Sequence, residues 1–408
     1  MDRRRLEFGC SIIVIGLLAG IAGVATTLLL HGVEHLTYRY TFGSLLEGVT
    51  DSSPVRRSLG PMIGGALAGL GWWLLRRKAE VPTLSAALAE VIPQHRRLPR
   101  LTLSLDAALQ VLLVGSGASL GRENAPRQLS AVLGDLGTSR WALSARDREI
   151  LLACAAGAGL AAVYSVPVGG ALFATRIMLR TWQPRALGAA LITSSLAVAV
   201  ASPVTHAEVP LTWPAPQMSY LLTAFALLLA PLALGVGLAF NRLMALVRPV
   251  TLISSWVLIP AIAAAGLLIG ICSVWWPELP GNGKSILTVS LDSGLTLGSA
   301  VVILLLKPLL TAAFLRAGAV GGMLTPALAT GAALGSIVAL SINAWTEHPV
   351  SVAAVSLTCA AGVLAITQGS PLWAALFVWE LARPPWWVLL PFAVAAFAAH
   401  ALRRVRDL

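Results

Sequence analysis

Apolar residues run along this chain in long, nearly uninterrupted windows at 10–30, 61–75, 186–201, 220–246, 252–276, 299–314 and 352–366. About 20 apolar residues span the hydrocarbon core of a bilayer, so windows of this kind predict membrane-crossing helices. Neighbouring stretches at 166–179 and 371–381 are too short for a simple span. The mixture predicts tilted, broken and re-entrant helices, not a row of equal rods. The 37 glycines and 24 prolines fit that picture. Breaks at membrane depth survive only where the backbone lines a cavity or packs on protein. The expected fold class is an all-α polytopic membrane protein.

One interruption of the pattern stands out. The apolar stretch 107–120 is only about 14 residues long and carries Gly115 and Gly117; it runs directly into Gly121-Arg122-Glu123-Asn124-Ala125-Pro126. An ionisable pair at such depth costs a few kcal/mol per charge even on lenient scales, and it usually lines an ion path or proton relay. The pattern predicts a helix that enters, breaks and restarts, with the N–H groups of the restart aimed at the gap. Glu123 as a purely structural partner of Arg122 is the bland alternative. Arg122 itself reads as structural, holding carbonyls around the break.

The chain repeats itself. Cys154-Ala155-Ala156-Gly157 followed by Pro167…Phe173 matches Cys359-Ala360-Ala361-Gly362 followed by Pro371…Phe377, about 205 residues on. Some thirty residues upstream, each copy has a Gly-rich break ending in proline, Gly121…Pro126 and Gly321…Pro326. Three coincidences in order imply a duplicated membrane unit, repeats of about 1–205 and 215–408, with a seam near 201–218. Duplicated transporters place substrate near the midplane, between discontinuous helices of both halves. No loop exceeds about 25 residues, so a single transmembrane domain over 1–408 is expected, with no soluble domain.

Composition agrees with the pattern: 57% of residues are hydrophobic and 12% charged, with a mean hydropathy of +0.81. The net charge of +11 does not point to nucleic acid. Basic clusters such as Arg3-Arg4-Arg5, Arg76-Arg77-Lys78, His95-Arg96-Arg97 and Arg403-Arg404 flank apolar windows, as cytoplasmic loops do. Both termini are expected in the cytoplasm, with the first window a retained span in the cell's inner (plasma) membrane. The four cysteines lack metal or disulfide spacing and read as buried free thiols. No metal or cofactor is implied. Nor is an enzyme, since no H-E-x-x-H or G-x-S-x-G motif occurs. A cation-coupled carrier of organic solutes would need more polar residues inside the windows. Gly281-Asn282-Gly283-Lys284 lacks phosphate-loop spacing and reads as a turn. Glu380 reads as an interfacial acid, and Lys307 as snorkelling or packed against carbonyls.

Helix N-termini carry about half a positive charge and several unpaired donors, so broken helices favour anions. In the second half the glycine-rich stretch 318–322 ends where an apolar helix restarts, with Thr325 as a candidate cap and Pro326 in the first turn. Two such starts would make an uncharged cradle, able to bind an anion and release it.

Gly-Arg-Glu-x-x-Pro-x-Gln at 121–128, Gly157-Ala158-Gly159-Leu160-Ala161-Ala162 with Val166-Pro167, and Gly321-Gly322-x-x-x-Pro326 together resemble the chloride channel (CLC) family of anion channels and proton-coupled exchangers. Lys307 and Thr311 match as well. The resemblance spans nearly the whole chain and is to bacterial-type members without CBS domains. It implies a homodimer with one pore per subunit, inverted halves, and chloride or a similar small anion as cargo alongside membrane lipid. Nitrate, bromide and fluoride stay open. By position Glu123 becomes the gating glutamate. Gly121, Arg122, Glu123, Asn124, Gly322, Met323 and Leu324 become anion-binding. Ala79 stands at the family's first anion motif, where a serine is usual, and Pro385 or Trp386 at its central tyrosine. Ile177 replaces the exchangers' internal glutamate. The implied activity is therefore that of a voltage-gated-type chloride channel or passive anion transporter, the alternative being an H+/Cl- antiporter with an atypical proton path. If both termini are cytoplasmic, membrane-impermeant labels at cysteines beside Arg4 and Arg404 will react from the same face; reaction from opposite faces would refute the topology.

Overall fold

The computed structural model describes residues 3–41, 43–94, 96–139, 141, 143–205, 213, 219–249, 254–347 and 349–406. The described chain is helical throughout, apart from one isolated β-bridge. The first repeat folds as α1 (Arg3–Tyr38), α2 (Leu45–Asp51), α3 (Pro54–Lys78), α4 (Leu84–Val91), α5 (Arg100–Gly115), α6 (Asn124–Gly137), α7 (Ala145–Tyr164), α8 (Pro167–Leu172) and α9 (Pro184–Thr205). The second folds as α10 (Tyr220–Val247), α11 (Leu258–Cys272), α12 (Lys284–Leu291), α13 (Leu297–Arg316), α14 (Leu324–Trp345), α15 (Val352–Gln368), α16 (Pro371–Ala382) and α17 (Leu389–Arg406). Most of the expected seam lies outside the described residues, at 206–212 and 214–218.

Seven helices are long and apolar enough to cross a membrane, while α11, α15 and α16 are apolar but shorter. The mixed lengths expected from the windows are thus present. On α13 the residues Leu297, Val301, Leu305 and Leu309 repeat every four positions and are exposed, whereas Lys307 and Thr311 are fully buried. Apolar side chains facing outward and polar ones inward invert the soluble pattern. This is what lipid as solvent selects.

The two matching sequence stretches share backbone features. α7 ends at Ser165 with φ 55° and α15 at Gly369 with φ 68°, both left-handed. Each is followed by a helix with proline at its start, Pro167 in α8 and Pro371 in α16. Proline fits there because the first helical N–H has no intrahelical partner. α8 continues into a π-helical turn at Phe173–Met178, and each arm then ends on another left-handed residue, Arg180 or Arg383.

The chain packs as two compact units. One comprises Met1–Gly32, Gly71–Leu112 and Arg122–Glu208; the other comprises Val33–Leu70, Leu113–Gly121 and Val209–Leu408. The glycine-rich break of the first repeat therefore belongs to the second unit. In the first unit Phe8, Ile15, Ile150, Leu151 and Cys154 share a core. In the second, Leu222, Leu229, Val352, Val355 and Cys359 do so. All four cysteines are free, but Cys10 is exposed and Cys272 half-exposed, so burial holds only for the repeated pair. Cys10 lies on an apolar span whose outward face meets lipid.

Small residues let α14 and α15 approach closely. A Cβ added at Gly335 would lie 2.5 Å from Ser356 Cα, so any side chain forces the helices apart. Gly335→Leu is expected to destabilise the protein by about 1–3 kcal/mol, the usual range for overpacking, and detergent-phase thermal unfolding checks it.

Candidate functional site

The first break begins where α5 stops at Gly115. Gly117 has φ 107°, and a Cβ there would collide with the Tyr38 hydroxyl, so only glycine fits. Four residues later, Gly121 and Gly322 exchange backbone hydrogen bonds: Gly121 N–H donates to Gly322 O at 2.7 Å and Gly322 N–H to Gly121 O at 3.0 Å. The two breaks of the repeat thus meet in a single antiparallel pair. Both partners are fully within the second unit.

A brace of buried hydrogen bonds holds this pair. Thr311 Oγ1 on α13 donates to Ser119 O at 2.8 Å, and the two hydroxyls lie 3.1 Å apart. Gly281 N–H donates to Gly117 O at 3.0 Å. Lys307 Nζ donates to Leu279 O at 2.8 Å and to Gly281 O at 2.7 Å. Lys307 therefore packs against carbonyls and does not snorkel. Its ammonium tethers the 279–283 turn, and that turn tethers the break. Tyr38 and Ser119 were missed by sequence reasoning, because a lone hydroxyl in an apolar window carries no pattern.

Each break leads into a helix start without a side-chain cap. Glu123 is the N-cap of α6 and Met323 that of α14, and neither start has a side-chain cap bond. Thr325 is the second residue of α14, not its cap. Pro126 and Pro326 occupy the third position of their helices, where a missing N–H leaves no intrahelical bond unmade. Leu324 is buried, whereas Asn124 and Met323 are half-buried.

Glu123 is 1% exposed. The Tyr164 hydroxyl donates to its Oε2 at a long 3.4 Å. Arg122 donates to Val163 O at 3.0 Å and stands 5.3 Å from the Tyr164 ring centre, so it does hold a carbonyl beside the break. Close approach of α7 to α6 depends on Gly159, whose Cβ would collide with Pro126 O.

Two resemblance-based positions differ from expectation. Ala79 N–H donates to Leu75 O and closes α3. The next helix starts at Leu84, capped by the Thr83 hydroxyl. Ala79 is therefore a helix end, not an anion-facing start. Trp386 is 76% exposed and packs tilted against Trp379, with ring centres 4.5 Å apart, so its side chain is turned to the surface and not into the interior. Ile177 lies in the π-helical turn, next to Arg176, which stacks on Trp182 at 4.1 Å.

The structure also shows two buried carboxylates that the sequence did not flag. Asp106 accepts from Trp72 Nε1 at 2.7 Å, from Gln110 at 2.8 Å and from Gln128 at 3.1 Å. Asp135 pairs with Arg100 at 2.9 Å and Arg148 at 2.7 Å, tying the end of α6 to the starts of α5 and α7. Asp106 and Gln110, four apart on one helix face, were the available signal.

A family model described as voltage gated chloride channel matches residues 64–404. The voltage-gated ClC-type chloride channel ClcB of Escherichia coli (strain SMS-3-5 / SECEC) is 30% identical over 384 residues, 90% of this chain and 89% of that protein. A slow cyanobacterial Cl-/H+ antiporter of known crystal structure superposes with TM-score 0.78 at 20% identity, over 97% of this chain and 95% of its own. A CLC-type fluoride/proton antiporter gives TM-score 0.77 at 17% identity, over 98% and 96%. Likeness at these identities speaks to the fold alone. With the match over most of its length, this multi-pass membrane protein belongs to the voltage gated chloride channel (CLC) family of anion transport proteins.

Proposed function

We propose that this protein carries chloride, or a similar small anion, passively across the inner (plasma) membrane, through a path gated by Glu123. The observation that supports this best is the reciprocal Gly121–Gly322 pairing, followed within one or two residues by helix starts that no side chain caps. The proposed donors are the backbone N–H groups of Glu123 and Asn124 where α6 begins and of Met323 and Leu324 where α14 begins. Such groups hold an anion by partial charges, strongly enough to replace part of its hydration and weakly enough to let it go. Lys307 supports the reading from a distance: its charge is held by carbonyls of the 279–283 turn, so it shapes the site without occupying the path. A homodimer with one path per subunit completes the proposal, and a single-subunit mass on mild-detergent sizing would remove that part.

An ionised Glu123 carboxylate is itself an anion and competes with the cargo; once protonated it no longer does. Acid should therefore open the path. Glu123→Gln, which cannot ionise, is expected to give chloride efflux from proteoliposomes that is high and independent of pH. Efflux with the wild-type pH profile would place the gate elsewhere. Halide-soaked crystals should show anion density beside the amides of residues 323 and 324, and a well-resolved map without it would count against the site.

Proton coupling is proposed to be weak or absent, because Ile177 offers no acceptor at the position where the exchangers carry an acid. Sustained uphill proton movement driven by a chloride gradient would return the protein to the H+/Cl- antiporter class.

A further inference from the structure

We infer that the turn between α8 and α9 carries a binding site for the headgroup of an anionic phospholipid, built on Arg176 and Arg180 beside Trp182. The π-helical turn ends at Met178, and the chain then swings through Arg180, at φ 51°, towards Trp182 and the start of α9. Two hydrogen bonds fix the swing. Thr181 N–H donates to Thr175 O at 2.8 Å, and Gln183 N–H donates to Thr181 Oγ1 at 3.2 Å. Arg176 lays its guanidinium over the Trp182 ring, 4.1 Å from the centre. A guanidinium stacked on an aromatic face keeps its N–H edge free, and that edge matches two oxygens of a phosphate.

Among the described residues neither Arg176 nor the exposed Arg180 forms an ion pair. The acids around them are already taken. Asp147 pairs with Arg185 at 2.7 Å, and Glu149 with Arg146 at 2.6 Å. Arg146 also donates to Gln183 at 3.2 Å, which ties the start of α7 to the same turn. Glu7, on the part of α1 that meets Arg185 through Phe8, has a partner of its own. The turn therefore presents two cations with donors to spare, and it fits an anion.

Its position makes that anion a lipid headgroup. Trp182 is 51% exposed, and the outward apolar residues of two membrane-crossing helices begin beside it, Leu6 on α1 and Ile192 on α9. Arg185 stands 4.1 Å over the Phe8 ring, so the starts of these two helices lie together. Exposed indoles mark the membrane–water boundary. Basic residues at that level attract the anionic lipids of the leaflet. A phosphate held by Arg176 and Arg180 leaves its acyl chains along the apolar residues, whereas a free phosphate gains nothing from them.

The test is native mass spectrometry of the full chain in mild detergent, titrated with phosphatidylglycerol or with phosphatidylcholine of the same acyl chains. Phosphatidylglycerol should bind about tenfold more tightly. Replacing both arginines, Arg176→Gln with Arg180→Gln, should weaken it by about thirtyfold, the contribution of two basic residues at a membrane surface, and leave phosphatidylcholine unchanged. Arg176→Lys, which keeps the charge and loses the planar fork, should fall in between. Arg96→Gln removes an exposed arginine from another loop of the same unit and should change nothing. An equal loss there would reduce the patch to diffuse surface charge and overturn the site, as would equal binding of the two lipids. Displacement of the lipid by an equal concentration of inorganic phosphate would assign the site to a free anion. A changed oligomeric mass in the double variant, with lipid binding intact, would assign it to a second copy of the chain. Either result overturns the inference. Should the double variant fail to fold, Arg180→Gln, at an exposed residue, decides alone.

Discussion

Backbone amides at membrane depth have no water to turn to, and this constraint organises the molecule. A helix that breaks inside the apolar layer leaves N–H and C=O groups that must find partners in protein. Here they find them largely in each other. Gly121 and Gly322 exchange two backbone bonds, and the 117–121 segment is further held by Gly281, Thr311 and Ser119. Only the helix starts that follow are left without side-chain caps. The break is therefore rigid where it is joined.

The brace also explains a buried lysine. Lys307 is 0% exposed, and among the described residues no carboxylate lies within the 4.0 Å of an ion pair. Two carbonyl oxygens accept its hydrogen bonds instead. Glu123, the opposite charge, sits beside Tyr164 and Arg122 in the other unit. Lys307 and Glu123 thus each have their own local means of support.

The two matching stretches use one backbone solution with different side chains. Ser165 and Gly369 take the same left-handed conformation, and Pro167 and Pro371 start equivalent helices. Serine accepts the strain that glycine avoids, of order 1–2 kcal/mol. The first copy carries the charged pair Arg122-Glu123 where the second has Gly322-Met323. The backbone features recur, and the charged pair stands in the first copy alone.

Much of this was legible in the order of residues. The apolar windows, the repeat, the two breaks and Glu123 all follow from period, spacing and the cost of charge in lipid, which act locally along the chain. The 281–284 turn was also readable from its paired glycines, whereas for Lys307 the sequence left snorkelling and packing on carbonyls both open, and the contacts with Leu279 and Gly281 decided it. Tertiary structure alone decided that Gly121 meets Gly322, that Tyr164 attends Glu123, and that Asp106 is a buried acceptor for three donors. It also moved a helix start from Ala79 to Leu84 and turned Trp386 outward. These outcomes depend on contacts between residues far apart in sequence. Hydropathy measures how much a segment prefers lipid, and it cannot measure which distant group a hydroxyl or guanidinium will reach.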